Sequence, residues 1–162
     1  MKYILHILFY SAVIWLNGCA ANEMSEAEII TACQQTIFGY AHSRDAVDLD
    51  ENAALFTVDA TLRIRDTILS GQSEIKAGLA DRGPKQSTRH VITSVNIDID
   101  DDKNIGAESY ALLYSGPPKL QNAGSSAPLA LKYILTYKDE LQHDGADCLI
   151  KNRHVIIETV VN

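Results

Sequence analysis

Apolar positions change period three times along this chain. Tyr3 to Leu16 (YILHILFYSAVIWL) is almost continuously apolar, broken only by His6 and Ser11. From Glu26, the residues Ile29, Ile30, Cys33, Ile37, Phe38 and Tyr40–Ala41 recur at roughly helical spacing. Ser25 followed by Glu28 is a capping-box pair and sets the start of that helix. A second, short helix is expected over about Asp50 to Phe56, capped by Asp48 or Asp50, and a third over Ser73 to Ala80 between Gly71 and Gly83-Pro84. Asp59 to Ile64 alternates and predicts a strand. After Arg89 the period settles at two. Arg89 to Asp100, Ile105 to Tyr114, Leu129 to Tyr137 and Cys148 to Val161 all read as strands, with turns at Asp101–Asn104 and Asp144–Gly145. Ser115 to Pro128 contains Gly116, Pro117, Pro118, Gly124 and Pro128 and reads as a long loop. Helices first and long antiparallel strands afterwards is an α+β order. A curved sheet wrapped around the first helix buries both apolar faces economically.

The N-terminal run has a different destination. It is shorter than the roughly 20 residues of a spanning helix, and Lys2 precedes it, which fits an export signal. Leu16-Asn17-Gly18-Cys19 follows and resembles the bacterial lipobox. That resemblance implies cleavage after Gly18, with diacylglycerol on Cys19 and a further acyl chain on the new amine. Two or more chains hold a protein stably on a bilayer. Ala20 stands where an aspartate would favour retention at an inner membrane, so the periplasmic face of an outer membrane is the expected location. The expected organisation is therefore a signal at 1–18, a tether at 19–25 and one domain at 26–162.

Charge and cysteines refine this reading. The chain carries 14 basic and 21 acidic residues, a net −7. Lys2 is its only charged residue before Cys19. The acidic balance argues against nucleic acid or an anionic membrane surface as partner. Cys33 and Cys148 remain after lipidation of Cys19 and admit two readings, a disulfide in an oxidising compartment or two buried thiols. His42, His90, His143 and His154 show no metal spacing, and the acidic run Asp98–Asp102 lacks an EF-hand pattern. Phosphate-loop, dinucleotide and nucleophile-elbow motifs are missing from the sequence, so neither a metal nor a cofactor is expected.

Four segments resemble a known family. They are Tyr40-Ala-His-Ser-Arg-Asp45, Ala54-Leu-Phe56-Thr-Val-Asp59-Ala60, Thr88-Arg-His90-Val-Ile-Thr and Arg153 in the last strand. Together they are similar to the SnoaL-like polyketide cyclase/dehydratase group of the nuclear-transport-factor-2-like superfamily, over about Glu26 to Thr159. The resemblance implies a cone-shaped α+β barrel of cystatin-like type, with a mostly apolar pocket at its wide end. It implies that Asp45 and His90 form a catalytic dyad, the histidine as base and the carboxylate as its orienting partner. It matches Tyr40 to a pocket tyrosine and Arg153 to a recurrent arginine, both as substrate-binding candidates. The chain departs from the family at Cys148, where an aromatic residue is usual, at Ser94, where asparagine is frequent, and in the length of the 115–128 loop.

Each candidate also has a plainer reading. Asp45 lies where helices end and carboxylates cap, and His90 is suited to bonding backbone at a strand start. Tyr40 is suited to core packing, while Arg153 and Lys151 read as the solvated face of an outer strand. Strict alternation places His90, Ile92, Ser94 and Asn96 on one face of their strand. Two functions follow. One is a cofactor-independent lyase or isomerase acting on a small apolar or carbonyl-containing molecule. The other is a non-catalytic envelope lipoprotein binding a small apolar ligand or a protein, with a homodimer among the arrangements considered.

Overall fold

The computed structural model describes residues 24–80, 86–118, 128–145 and 147–161. The expected signal, the lipobox with Cys19 and most of the tether lie outside the described residues, as does the middle of the Gly/Pro-rich loop.

Helix α1 (Glu26–Ala46) starts where the capping box places it. The Ser25 hydroxyl accepts the Glu28 amide at 3.4 Å, and the Glu28 carboxylate accepts the Ser25 amide at 2.8 Å. Val47 ends the helix in the left-handed region (φ 59°), and Asp48 immediately caps α2 (Leu49–Ala54) by accepting the Glu51 amide at 2.9 Å. β1 (Phe56–Ile64) and β2 (Thr67–Ser70) form a hairpin, followed by α3 (Gln72–Ala80). β3 (Ser87–Ile99), β4 (Ile105–Gly116), β5 (Ala130–His143) and β6 (Cys148–Val160) complete the chain. The architecture is α+β, with helices packed against a curved six-stranded sheet that does not close. Its strand order is β2-β1-β6-β5-β4-β3. Every ladder is antiparallel except β1 with β6, which is parallel.

Three boundaries differ from the sequence reading. β2 was not anticipated, because four mostly exposed residues at a sheet edge show no alternation to detect. β1 begins at Phe56, so the second helix is shorter than expected. β5 runs to His143 rather than stopping at Tyr137. Lys138-Asp139-Glu140 looks like a turn, yet Asp139 is buried between exposed Lys138 and Glu140, so the period of two continues through it.

The core lies between the helices and one face of the sheet. Cys33, Ile37 and Tyr40 of α1 meet Phe56, Leu62, Leu135, Tyr137 and Ile150, all essentially solvent-free. Each fully buried side chain of this size contributes about 1.5–3 kcal/mol. Tyr40 stands edge-on to both Phe56 and Tyr137, with centroids 5.9 Å apart in each pair. A disulfide joins Cys33 to Cys148 and ties α1 to the start of β6, which resolves the two readings of those cysteines.

Bulges interrupt several ladders, and two of them change which face carries residues singled out from the sequence. On β3, Ile92 pairs with Ala111 and Ser94 with Tyr110, leaving Thr93 as the extra residue of a bulge. The inward face is therefore Thr88, His90 and Ile92, then Val95, Ile97 and Ile99. Ser94 and Asn96 are exposed and do not share a face with His90, contrary to the alternation expected from sequence. On β6, Ile150 pairs with Leu141 and Asn152 with Glu140, leaving Lys151 as the extra residue. Its outward ammonium bonds Glu140 at 2.8 Å, and Arg153 turns into the core. Arg153 is 1% exposed, not on a solvated face.

Candidate functional site

β3 is an edge strand, so alternate amides along it have no neighbouring strand to bond. At His90 that amide is satisfied from α1: the Asp45 Oδ2 accepts it at 2.8 Å. The other carboxylate oxygen faces the imidazole Nδ1 at 2.7 Å and also accepts the Thr88 hydroxyl at 3.0 Å. The two side chains are nearly dry, 6% exposed for Asp45 and 8% for His90. Arg89 adds a looser charge contact, with its Nε 3.9 Å from Oδ2. Burial alone pushes the Asp45 carboxyl up. The ring and charge of His90, its amide and the Thr88 hydroxyl outweigh that and hold Asp45 below the usual carboxylate value.

This arrangement selects a tautomer. A proton on Nδ1 is shared with the carboxylate, which leaves the Nε2 lone pair free. His90 lines a cavity of about 440 Å³, and Nε2 has no protein partner among the described residues. Leu113, Leu135 and Ile157 give this cavity apolar walls, while Tyr40, Tyr133 and Tyr137 bring rings and hydroxyls. Burial among these groups pushes the Tyr137 hydroxyl well above its usual value, so it stays a neutral donor.

α2 fixes the end of α1 that carries these residues. The Asn52 side-chain amide donates to the Tyr40 carbonyl at 3.3 Å and to the Ser43 hydroxyl at 2.8 Å, both buried. Ser43 in turn donates to the Gly39 carbonyl at 2.8 Å. The last turn of α1, and with it Tyr40 and Asp45, is held from a second element.

Of the residues singled out from sequence, His90 and Tyr40 line this cavity, and Asp45 stands behind His90 without lining it. Arg153 does not line it. Its Nε and Nη2 hold the two oxygens of Asp139 at 2.7 and 2.6 Å, and its guanidinium carbon sits 4.1 Å from the Tyr40 ring centre and 4.8 Å from that of Tyr137. Arg153 thus supports two wall tyrosines from behind rather than facing the cavity. Its substrate-binding reading is corrected to a supporting one. Thr88, Asn52 and Asp139 had been given no role. Thr88 lies two residues before His90, on the same face of β3, which is a signal that was available in the sequence. Asn52 and Asp139 had no such signal. Among the described residues no three His, Cys, Asp or Glu side chains cluster as metal ligands would.

Comparison with known proteins agrees with the geometry at the level of fold. No curated protein matches the sequence. Among solved structures, Aln2 from a Streptomyces species aligns with TM-score 0.68 at 19% identity, covering 83% of this chain and 94% of that one. ActVI-ORFA from Streptomyces coelicolor aligns with TM-score 0.67 at 20% identity, covering 81% and 98%. A Novosphingobium aromaticivorans protein, provisionally assigned as a scytalone dehydratase, aligns with TM-score 0.69 at 20% identity, covering 83% and 87%. The SnoaL-like domain model matches residues 25–154, from the capping serine of α1 into the last strand. With most of its length inside that match, this chain belongs to the SnoaL-like family.

Proposed function

We propose that the protein is a cofactor-independent lyase or isomerase of the dehydratase kind, with His90 as general base and Asp45 as the group that orients it. The observation carrying this reading is the Asp45–His90 contact, which leaves the second ring nitrogen free in a cavity walled by tyrosines. In the lyase form, Nε2 takes a proton from the carbon next to a carbonyl, and the electron pair forms an enolate. The enolate collapses to a carbon–carbon double bond as the β-hydroxyl leaves. The imidazolium returns its proton to that hydroxyl, so one water is released. In the isomerase form, the same proton returns to a different carbon. Asp45 stabilises the imidazolium at the midpoint of either route. The likeness to a protein assigned as a scytalone dehydratase is consistent with this chemistry and does not identify a substrate.

The first half-reaction can be read without knowing the substrate. In D₂O the enzyme should exchange the α-protons of a bicyclic ketone probe, 2-tetralone, as followed by NMR. His90→Asn should lower the exchange rate by roughly 10²–10⁴-fold while leaving the fold intact. Asp45→Asn should lower it as well. Binding of the probe with no exchange above the buffer rate would discard the base and leave a ligand-binding lipoprotein as the reading.

The same proposal places the protein on the cell envelope through lipidated Cys19, at the periplasmic face of an outer membrane. The Cys33–Cys148 disulfide supports an oxidising location. Cys19→Ala should move the protein from the membrane to the soluble fraction of fractionated cells. An unchanged membrane fraction would sink the anchor.

A further inference from the structure

Arg44 lines the same cavity as His90. It lies four residues after Tyr40, on the same face of α1, and directly before Asp45. Its side chain is half-buried, and its Nη1 is fully buried with no hydrogen-bond partner. No ion pair to it forms among the described residues. Asp66 lines the cavity as well but makes no ion pair with Arg44 among the described residues, and two other carboxylates are already engaged. Asp45 accepts from Thr88 and His90, and both oxygens of Asp139 are taken by Arg153.

An unmatched guanidinium in such a place is costly. Arginine cannot discharge by losing its proton, and a buried donor left unpaired is destabilising, the more so when it is charged. A basic residue in the last turn of a helix does gain from the helix dipole. That gain is equally available to a side chain lying in solvent, so it does not account for a buried Nη1. A ligand carrying a negative oxygen would pair the group and offset its cost.

We propose that Arg44 binds a carboxylate of the molecule held in this cavity, so that the ligand is a small planar acid that carries this group in addition to the carbonyl at which His90 acts. Tyr40, Tyr133 and Tyr137 supply the flat walls, and the guanidinium supplies the fork that a carboxylate accepts in a bidentate manner. This deepens the function proposed above, since it names the class of substrate. Its test reads binding alone, and so it stands or falls separately from the role of His90.

The probes are 2-naphthoate and its neutral isostere 2-naphthamide, compared by titration calorimetry at pH 7.5. The wild-type protein should bind the acid at least tenfold more tightly than the amide. Arg44→Gln should abolish that preference, and Arg44→Lys should keep only part of it. Equal affinities in the wild type, no binding of either probe at millimolar concentration, or a preference surviving in Arg44→Gln would each overturn the proposal. Should Arg44→Gln fail to fold, the Arg44 guanidinium resonance of the wild-type protein decides. It should shift on addition of naphthoate and not of naphthamide, and an unmoved resonance would overturn the assignment.

Discussion

Arg153 and Asp139 form a fully buried, bidentate ion pair, a kind of contact whose value depends on keeping both partners. Burial works against the Arg153 charge, yet the Asp139 carboxylate more than compensates and holds its pKa above the usual arginine value. Removing one partner leaves an unpaired charge in the core, so Arg153→Leu should cost about 3–5 kcal/mol in urea denaturation. Replacing both, as Arg153→Leu with Asp139→Leu, should recover much of that loss; additive destabilisation would contradict the pairing. Asp45 gives a second test at this scale. Its folded pKa is depressed, so its contribution to stability is complete above the unfolded value of about 3.9 and fades as pH falls through the folded value. The destabilisation by Asp45→Asn, measured at pH 7, should therefore shrink in parallel denaturations run below about pH 4. A penalty that stays constant across that range would assign it to shape rather than charge.

The bulges decide what individual strands present. Thr93 and Lys151 each shift the phase of their strand by one residue. That shift turns Val95, Ile97 and Ile99 inward and carries Arg153 from the expected outer face into the core. Both misreadings of the sequence have this single cause. A period of two is visible in RHVITSVNIDID, but an inserted residue leaves no mark where polar and apolar residues mix on both faces. The helix start, by contrast, was legible, since Ser25 and Glu28 encode it locally. The pairing of Asp45 with His90 was reachable only through resemblance, because 45 residues of chain separate them and no periodicity links a helix end to a sheet edge. Deleting Thr93 should force one half of β3 to turn its inward face outward, at a cost of several kcal/mol. Thr93→Ala loses only an exposed hydrogen bond to the Tyr110 carbonyl and should cost about 1 kcal/mol or less. Comparable stability of the deletion and the substitution, measured in guanidinium, would show that the bulge does not set the register.

At the scale of the molecule, the order of elements announced an α+β fold, while the parallel β1–β6 ladder and the Cys33–Cys148 link were not evident. Those cysteines stand 115 residues apart, and nothing in their spacing favours pairing over two thiols. The link encloses most of the domain, from the middle of α1 to the start of β6. A loop of that length restricts the unfolded chain enough to contribute about 4–5 kcal/mol. Cys33→Ala with Cys148→Ala should lower the midpoint of thermal unfolding accordingly, and dithiothreitol should do the same to the wild type. A midpoint unchanged by either treatment would mean that the chain is already restrained in its unfolded state.

Helix α1 also sets a distance within the molecule. It begins at the capping serine and carries Tyr40, Arg44 and Asp45 in its last two turns. At 1.5 Å per residue, its 21 residues span about 31 Å, close to the thickness of a bilayer's hydrocarbon layer. If Cys19 is lipidated as proposed, the Ser25 end of the helix is the one tied to the bilayer, and Tyr40, Arg44 and Asp45 lie toward the other end. On that same proposal, a soluble acid would reach His90 from the aqueous phase without partitioning into lipid.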